Sequence, residues 1–285
     1  MEQLPISIDR HDSAAYSWMI ARRSPPPSLG GVVNGYCGYT ERAVLPMRRR
    51  EVAMGSVVLI VSFGDPISVQ LSSEPAARRV TSFVAGLHDG WVVTEYAGPQ
   101  AGVQVDLSPL GAYRLLGIPS SEIANGVVDV DALDLRWLAE LPERLAAAPD
   151  WNARFVALDH ELARRAADGP DVDRSVAWAW RQLAASHGRV PVATLADEIG
   201  WSRRHFASKF REHVGLAPKP TGRVLRFTHA VRLLREDGIG SIGSVAATCG
   251  YADHSHLVRE FHDLAGCTPS ALVAAQLPDG GGVAA

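Results

Sequence analysis

The sequence predicts an α+β chain in two parts. The N-terminal part is a β-rich barrel or sandwich with helices appended, and the C-terminal part is all-α. Three observations carry that expectation. Short β-branched runs separated by glycine fill residues 29–107, with turn signals at the spacing of a small antiparallel domain. Near the other end, one block of residues occurs twice, offset by 50 to 51 positions. Charge divides the chain in the same way: residues 1–173 hold 15 Lys or Arg against 22 Asp or Glu, a net of −7, while residues 174–277 hold 13 against 8, a net of +5. An acidic part joined to a basic part suggests a binding domain attached to a nucleic-acid domain.

The 285 residues suffice for two domains of ordinary size, and a hydrophobic share of 47% excludes a disordered chain. No apolar run approaches the ~20 residues of a membrane-spanning helix. The opening Met1-Glu2-Gln3-Leu4-Pro5 lacks the basic and apolar regions of a secretion signal. Cys37, Cys249 and Cys267 show no metal-ligand spacing and cannot all pair. A cytoplasmic protein with no membrane partner is expected.

Val57-Val58-Leu59-Ile60-Val61, bounded by Gly55 and by Gly64-Asp65-Pro66, reads as a buried strand and turn. Residues 80–84 and 91–96 read as further short strands, and residues 102–107 alternate apolar and polar with the strand period of two. Beyond Pro109 the character changes. Residues 110–116 form a short helix candidate stopped by Gly117 and Pro119, and residues 131–148 are rich in Leu and Ala. Asp150 is placed to cap a helix over residues 151–167, whose Phe155, Leu158 and Leu162 form one apolar stripe. Asp168-Gly169-Pro170 ends it, so the domains are set at residues 1–170 and 174–277. The Gly-rich tail, residues 278–285, reads as flexible.

The repeat carries the functional reading. One copy is Leu195-Ala196, Gly200-Trp201-Ser202, Arg203-Arg204-His205-Phe206, Phe210, Gly215 and Pro218. The other is Val245-Ala246, Gly250-Tyr251-Ala252-Asp253, His254-Ser255-His256-Leu257, Phe261, Gly266 and Pro269. Each feature suits a helix-turn-helix. The alanines are small where helices cross, the glycines serve turns that need positive φ, Ser202 and Asp253 are N-caps, and Phe206, Phe210, Leu257 and Phe261 face inward. The remaining face of each second helix is polar, as a groove-reading helix requires. Between the copies, residues 221–236 form an amphipathic spacer helix that holds two recognition helices apart, so that they reach successive major grooves.

These residues resemble the AraC/XylS transcription regulators over about residues 174–275. The resemblance implies about seven C-terminal helices forming a double helix-turn-helix, and an N-terminal domain, similar to the cupin-like domains often found there, that binds an effector or dimerises. The implied partner is double-stranded DNA at a promoter or operator, with RNA polymerase added for an activator.

Expected DNA contacts are Arg203, Arg204, His205, Ala207, Ser208 and Lys209 on the first recognition helix, and His254, Ser255, His256 and Arg259 on the second. Arg204 and Arg259 are the best base readers, since a guanidinium fork takes guanine O6 and N7 together. Ser255 reaches a base or a phosphate. Arg203, Lys209 and the spacer residues Arg223 and Arg226 are expected on phosphates, which position without specifying sequence. Ala207 and Ser208 are short for base readout.

No metal is expected, because His254 and His256 lie two apart on a helix and point in different directions. No catalytic residues and no cofactor are expected either. His11, His88 and His160 are scattered, Cys37 is isolated, and no nucleophile elbow or phosphate loop occurs. The alternative is a small-molecule-binding or enzymatic N-terminal domain that uses the DNA-binding module only for localisation. Trp18, Tyr36, Tyr39, Trp91 and Tyr96 are candidates to line an effector pocket, and the stripe Phe155, Leu158, Leu162 is the candidate surface of a homodimer.

Overall fold

The computed structural model describes residues 4–235, 241–275 and 283–284. The N-terminal half is an antiparallel sheet built from β1 (Ser7–Asp12), β2 (Tyr16–Arg23), β3 (Val33–Glu51), β4 (Val57–Ser62), β5 (Ile67–Leu71), β6 (Arg78–Val80), β7 (Phe83–Ala85), β8 (Val92–Leu107) and β9 (Val127–Asp129), which run β1-β2-β3-β8-β4-β7-β9 with β5 and β6 attached to β8. The expected strand at residues 57–61 is present as β4. The two strands expected at residues 91–96 and 102–107 are one long strand. Gly98 takes φ +83 and bends β8, so that residues 92–95 pair with β5 and residues 102–107 with β4. Because of that bend, Ile60, Val69, Leu71, Val80 and Phe83 from four strands meet in one apolar cluster on the inner side of the folded sheet.

The outer face of the sheet is closed by helices. Ser108 caps α1 (Pro109–Leu116) by accepting from the Gly111 N–H at 2.9 Å, and Gly117 ends it at φ +68. Residues 131–148 are broken into one 3-10 turn and two short helices, α2 (Arg136–Ala139) and α3 (Leu141–Ala146). Asp150 caps α4 (Trp151–Asp168) as expected, accepting from Ala153 at 2.8 Å. Phe155, Leu158 and Leu162 of α4 are fully buried against the sheet. The stripe therefore serves the chain's own core, and the expected dimer surface along it does not exist.

Among the described residues, seven helices follow in the C-terminal part: α5 (Arg174–Ala185), α6 (Val192–Ile199), α7 (Arg203–Val214), α8 (Pro218–Arg235), α9 (Ile242–Cys249), α10 (His254–Ala265) and α11 (Pro269–Ala274). The spacer helix α8 begins at Pro218, earlier than expected. Pro218 and Pro220 sit in its first turn, where no intrahelical N–H bond is lost; Glu236, its expected end, lies outside the described residues. The tail differs over its two described residues: Val283 and Ala284 form β10 (Val283–Ala284), pairing with Arg50 and Arg49 of β3, with Val283 buried. No helix among the described residues is long and apolar enough to cross a membrane. No group of three or more His, Cys, Asp or Glu among them is placed to hold a metal ion.

Candidate nucleic-acid interface

Two helix-turn-helix units are built by the same local chemistry. In the first, α6 ends on Gly200 at φ +76, the Trp201 N–H returns to the Ala196 carbonyl at 3.0 Å, and Ser202 caps α7 through the His205 N–H at 3.2 Å. In the second, α9 ends on Gly250 at φ +75, the Tyr251 N–H returns to Ala246 at 2.9 Å, and Asp253 caps α10 through the His256 N–H at 2.7 Å. Phe206, Phe210, Leu257 and Phe261 are fully buried. That leaves one polar face outward on each second helix.

Those faces correspond position by position. Arg204, Ser208 and Arg211 lie along α7 at steps of four and three, and Ser255, Arg259 and His262 lie along α10 at the same steps, each 51 residues on. All six are exposed. Arg211 and His262 extend faces that begin with the expected Arg204 and Ser255; the helical period from those residues was the signal. Arg203 and His254, one position earlier in each helix, are exposed as well. The exposed His205 and half-buried His256 also pack edge-on to Trp201 and Tyr251, at ring-centroid distances of 4.6 and 5.2 Å, next to each turn.

Residues 195–275 match the family model described as a helix-turn-helix domain, and residues 21–129 match a domain of unknown function, DUF6597. A segment of 77 residues is 39% identical to the HTH-type transcriptional activator RhaR of Pectobacterium atrosepticum. The C-terminal unit is an AraC-type double helix-turn-helix domain. The match to RhaR covers 27% of this chain and spans only 27% of that relative's length. Among solved structures, the DNA-binding domain of AdpA, in complex with a target DNA, is 37% identical over 35% of this chain and 87% of its own, with a TM-score of 0.31. A variant of ToxT from Vibrio cholerae strain SCE256 covers 93% of this chain and 99% of its own at 12% identity and a TM-score of 0.48.

Within the AraC-type domain, the spacer arginines have acidic partners inside the protein. Arg223 donates to Glu260 and to Asp263, each at 2.9 Å, and Arg226 lies 3.9 Å from Glu260 with its guanidinium over the Tyr251 ring. Glu260 is on the inner side of α10 and needs cationic partners there. Burial alone would lower the Arg223 guanidinium pKa; the bonds to Glu260 and Asp263 outweigh it and raise the pKa. Arg223 and Arg226 thus fasten α8 to α10. Lys209 is engaged by Glu212 at 2.9 Å, which raises its pKa. Ala207, Ser208 and Arg211 line an open cleft against Pro119, Ser121 and Glu122 of the N-terminal part.

The five aromatics expected in one pocket are separated by strand alternation. Tyr36 is on the outer face of β3 and donates to Asp159 of α4 at 2.9 Å, beside the buried Arg23–Asp159 pair. Trp18 lies opposite Glu41 in the β2–β3 register, and Glu41 in turn opposite Gln100 of β8, which puts these three with Tyr39 on the inner face. There Glu41 receives Arg49 at 2.6 Å and the Tyr96 hydroxyl, and Arg49 also donates to Tyr96 at 2.9 Å. Burial first, then the Glu41 charge, pushes the Tyr96 phenol pKa far above its ordinary value, so it stays a donor. Trp91 is in neither place and packs against the AraC-type domain at Gly266.

Proposed function

We propose that the chain is a sequence-specific DNA-binding transcription regulator whose α7 and α10 enter adjacent major grooves. The observation that carries this is the pair of exposed faces Arg204–Ser208–Arg211 and Ser255–Arg259–His262, equivalent in the repeat and each opening on a capped N-terminus. Arg204 and Arg259 read bases and Arg203 contacts phosphate. Lys209, already held by Glu212, adds less. Selection of duplexes from a randomised pool by the full chain tests the reading. A two-part motif with its halves about one helical turn apart is expected; a pool that stays random after repeated rounds contradicts it.

The β domain is proposed to bind a small polar effector rather than to catalyse a reaction. The Trp18 Nε1 and Gln100 Nε2 donors are buried on the inner sheet face with no partner among the described residues, on either side of Glu41. Buried donors of this kind suit a ligand rich in hydrogen-bond acceptors. Trp18 and Tyr39 with Tyr96 belong to that face; Tyr36 and Trp91 do not.

A further inference from the structure

The β domain meets the AraC-type domain at two equivalent points. Gly215 and Gly266 close α7 and α10 and hold the same position in the repeat. A Cβ built on Gly266 would sit 2.7 Å from the Trp91 indole nitrogen. Arg50, whose guanidinium stands 5.2 Å over the Trp91 ring, donates to the carbonyls of Ala265 at 3.4 Å and Gly266 at 3.2 Å. A Cβ on Gly215 would sit 3.2 Å from the Ser120 carbonyl. The Ser120 hydroxyl donates to the His213 carbonyl at 3.0 Å, and the Tyr113 ring packs on the His213 imidazole at 4.4 Å. In both cases the carbonyls at a helix C-terminus, which have no partner inside the helix, receive a donor from the N-terminal part.

We propose that the β domain fixes the separation and angle of the two recognition helices, with Arg50 and Ser120 as positioning residues that set the spacing between half-sites. The proposal rests on the DNA-binding reading above. Both helices are held at their C-terminal ends, while the exposed Arg203, Arg204, His254 and Ser255 at their N-terminal ends stay clear. Within the AraC-type domain the two units are joined through α8, whose Val224, Phe227 and Val231 are buried between them. A second tether at each recognition helix turns that single strut into a braced frame. Moving one half-site by a base pair displaces it by about 3.4 Å and turns it by about 35°. Helices held on one domain, α10 by Arg50 of β3 and α7 by Ser120 in the turn after α1, cannot follow that change, whereas helices joined by α8 alone have room to adjust.

The test uses the full chain and the duplex obtained by selection, with its two half-sites kept intact and one base pair added or removed between them. Wild-type binding is expected to fall about tenfold or more on either altered duplex, the scale of a lost base contact. The double variant Arg50→Ala, Ser120→Ala is expected to bind the original duplex within a few-fold of wild type and to lose less than about threefold on the altered ones. Thermal melting of the variant confirms that the fold is kept. Should melting show it unfolded, the milder Arg50→Lys with Ser120→Ala takes its place. A folded variant that keeps the wild-type spacing penalty overturns the proposal, as does a wild type indifferent to spacing. A pool with no enriched duplex overturns the DNA-binding reading and this proposal together, which distinguishes the two failures.

Discussion

Arg223 reaches across from α8 to donate to Glu260 of α10 at 2.9 Å, and this one bond moves a cation from the DNA-facing inventory into the frame of the domain. Arg223→Ala is expected to lower stability by about 1–3 kcal/mol, because it leaves the Glu260 carboxylate buried with one partner fewer while the half-exposed arginine itself is cheap to lose. Glu260→Gln in the same background should recover much of the loss. Denaturant unfolding of the two variants checks this. A salt dependence of DNA binding that falls by about one unit in Arg223→Ala, with unchanged stability, would restore the phosphate role.

Gly250 takes φ +75 in the turn of the second unit, and a Cβ there would lie 3.3 Å from the Arg189 side chain. Gly250→Val is expected to cost roughly 1–3 kcal/mol from backbone strain, since Arg189 is flexible and gives way. Melting temperature should drop, and enrichment of the second half of the selected motif should vanish. Wild-type melting and binding would show that the turn tolerates a side chain.

His88 supplies a pH dependence. Burial lowers its pKa against the opposing Gly86 carbonyl and the nearby Asp89. The folded chain therefore resists a proton that the unfolded chain takes up near the ordinary value of about 6.5. Stability from this residue is present above that pH and is lost as pH falls through it. Melting temperature should decline between about pH 7 and pH 5.5 more in wild type than in His88→Gln. Equal declines would assign the acid sensitivity elsewhere. Lower still, Glu161 adds to the loss. Burial alone would raise its carboxyl pKa, but hydrogen bonds from Arg165, Arg144 and Arg164 hold it down, so its contribution is lost only as pH falls through the carboxylate range.

The double helix-turn-helix was legible in the sequence because its determinants are local. A turn glycine, a cap three residues before the N–H it receives, and phenylalanines four apart are all read within a dozen positions. The internal partner of Arg223 and Arg226 could not be read from the sequence, because Glu260 lies 37 and 34 residues away and nothing local announces it. The pocket aromatics failed for a similar reason. Whether Tyr36 and Tyr39 share a face follows from their spacing along one strand, but placing Trp18 and Tyr96 beside them needs the register of β2, β3 and β8. Residues 91–96 and 102–107 read as two strands and are parts of one, which only the change of partner from β5 to β4 about Gly98 reveals.

Arg259 is exposed and lies midway along the α10 face, so it is the side chain on which base reading by α7 and α10 is best tested. Base preference of the full chain over a randomised site is measured for wild type and for Arg259→Ala. A loss of about 1–3 kcal/mol is expected on the preferred duplex, together with relaxed preference at one base pair in the second half-site. An unchanged preference with binding weakened equally on every sequence would contradict it, reducing Arg259 to a phosphate contact and leaving DNA shape as the source of specificity.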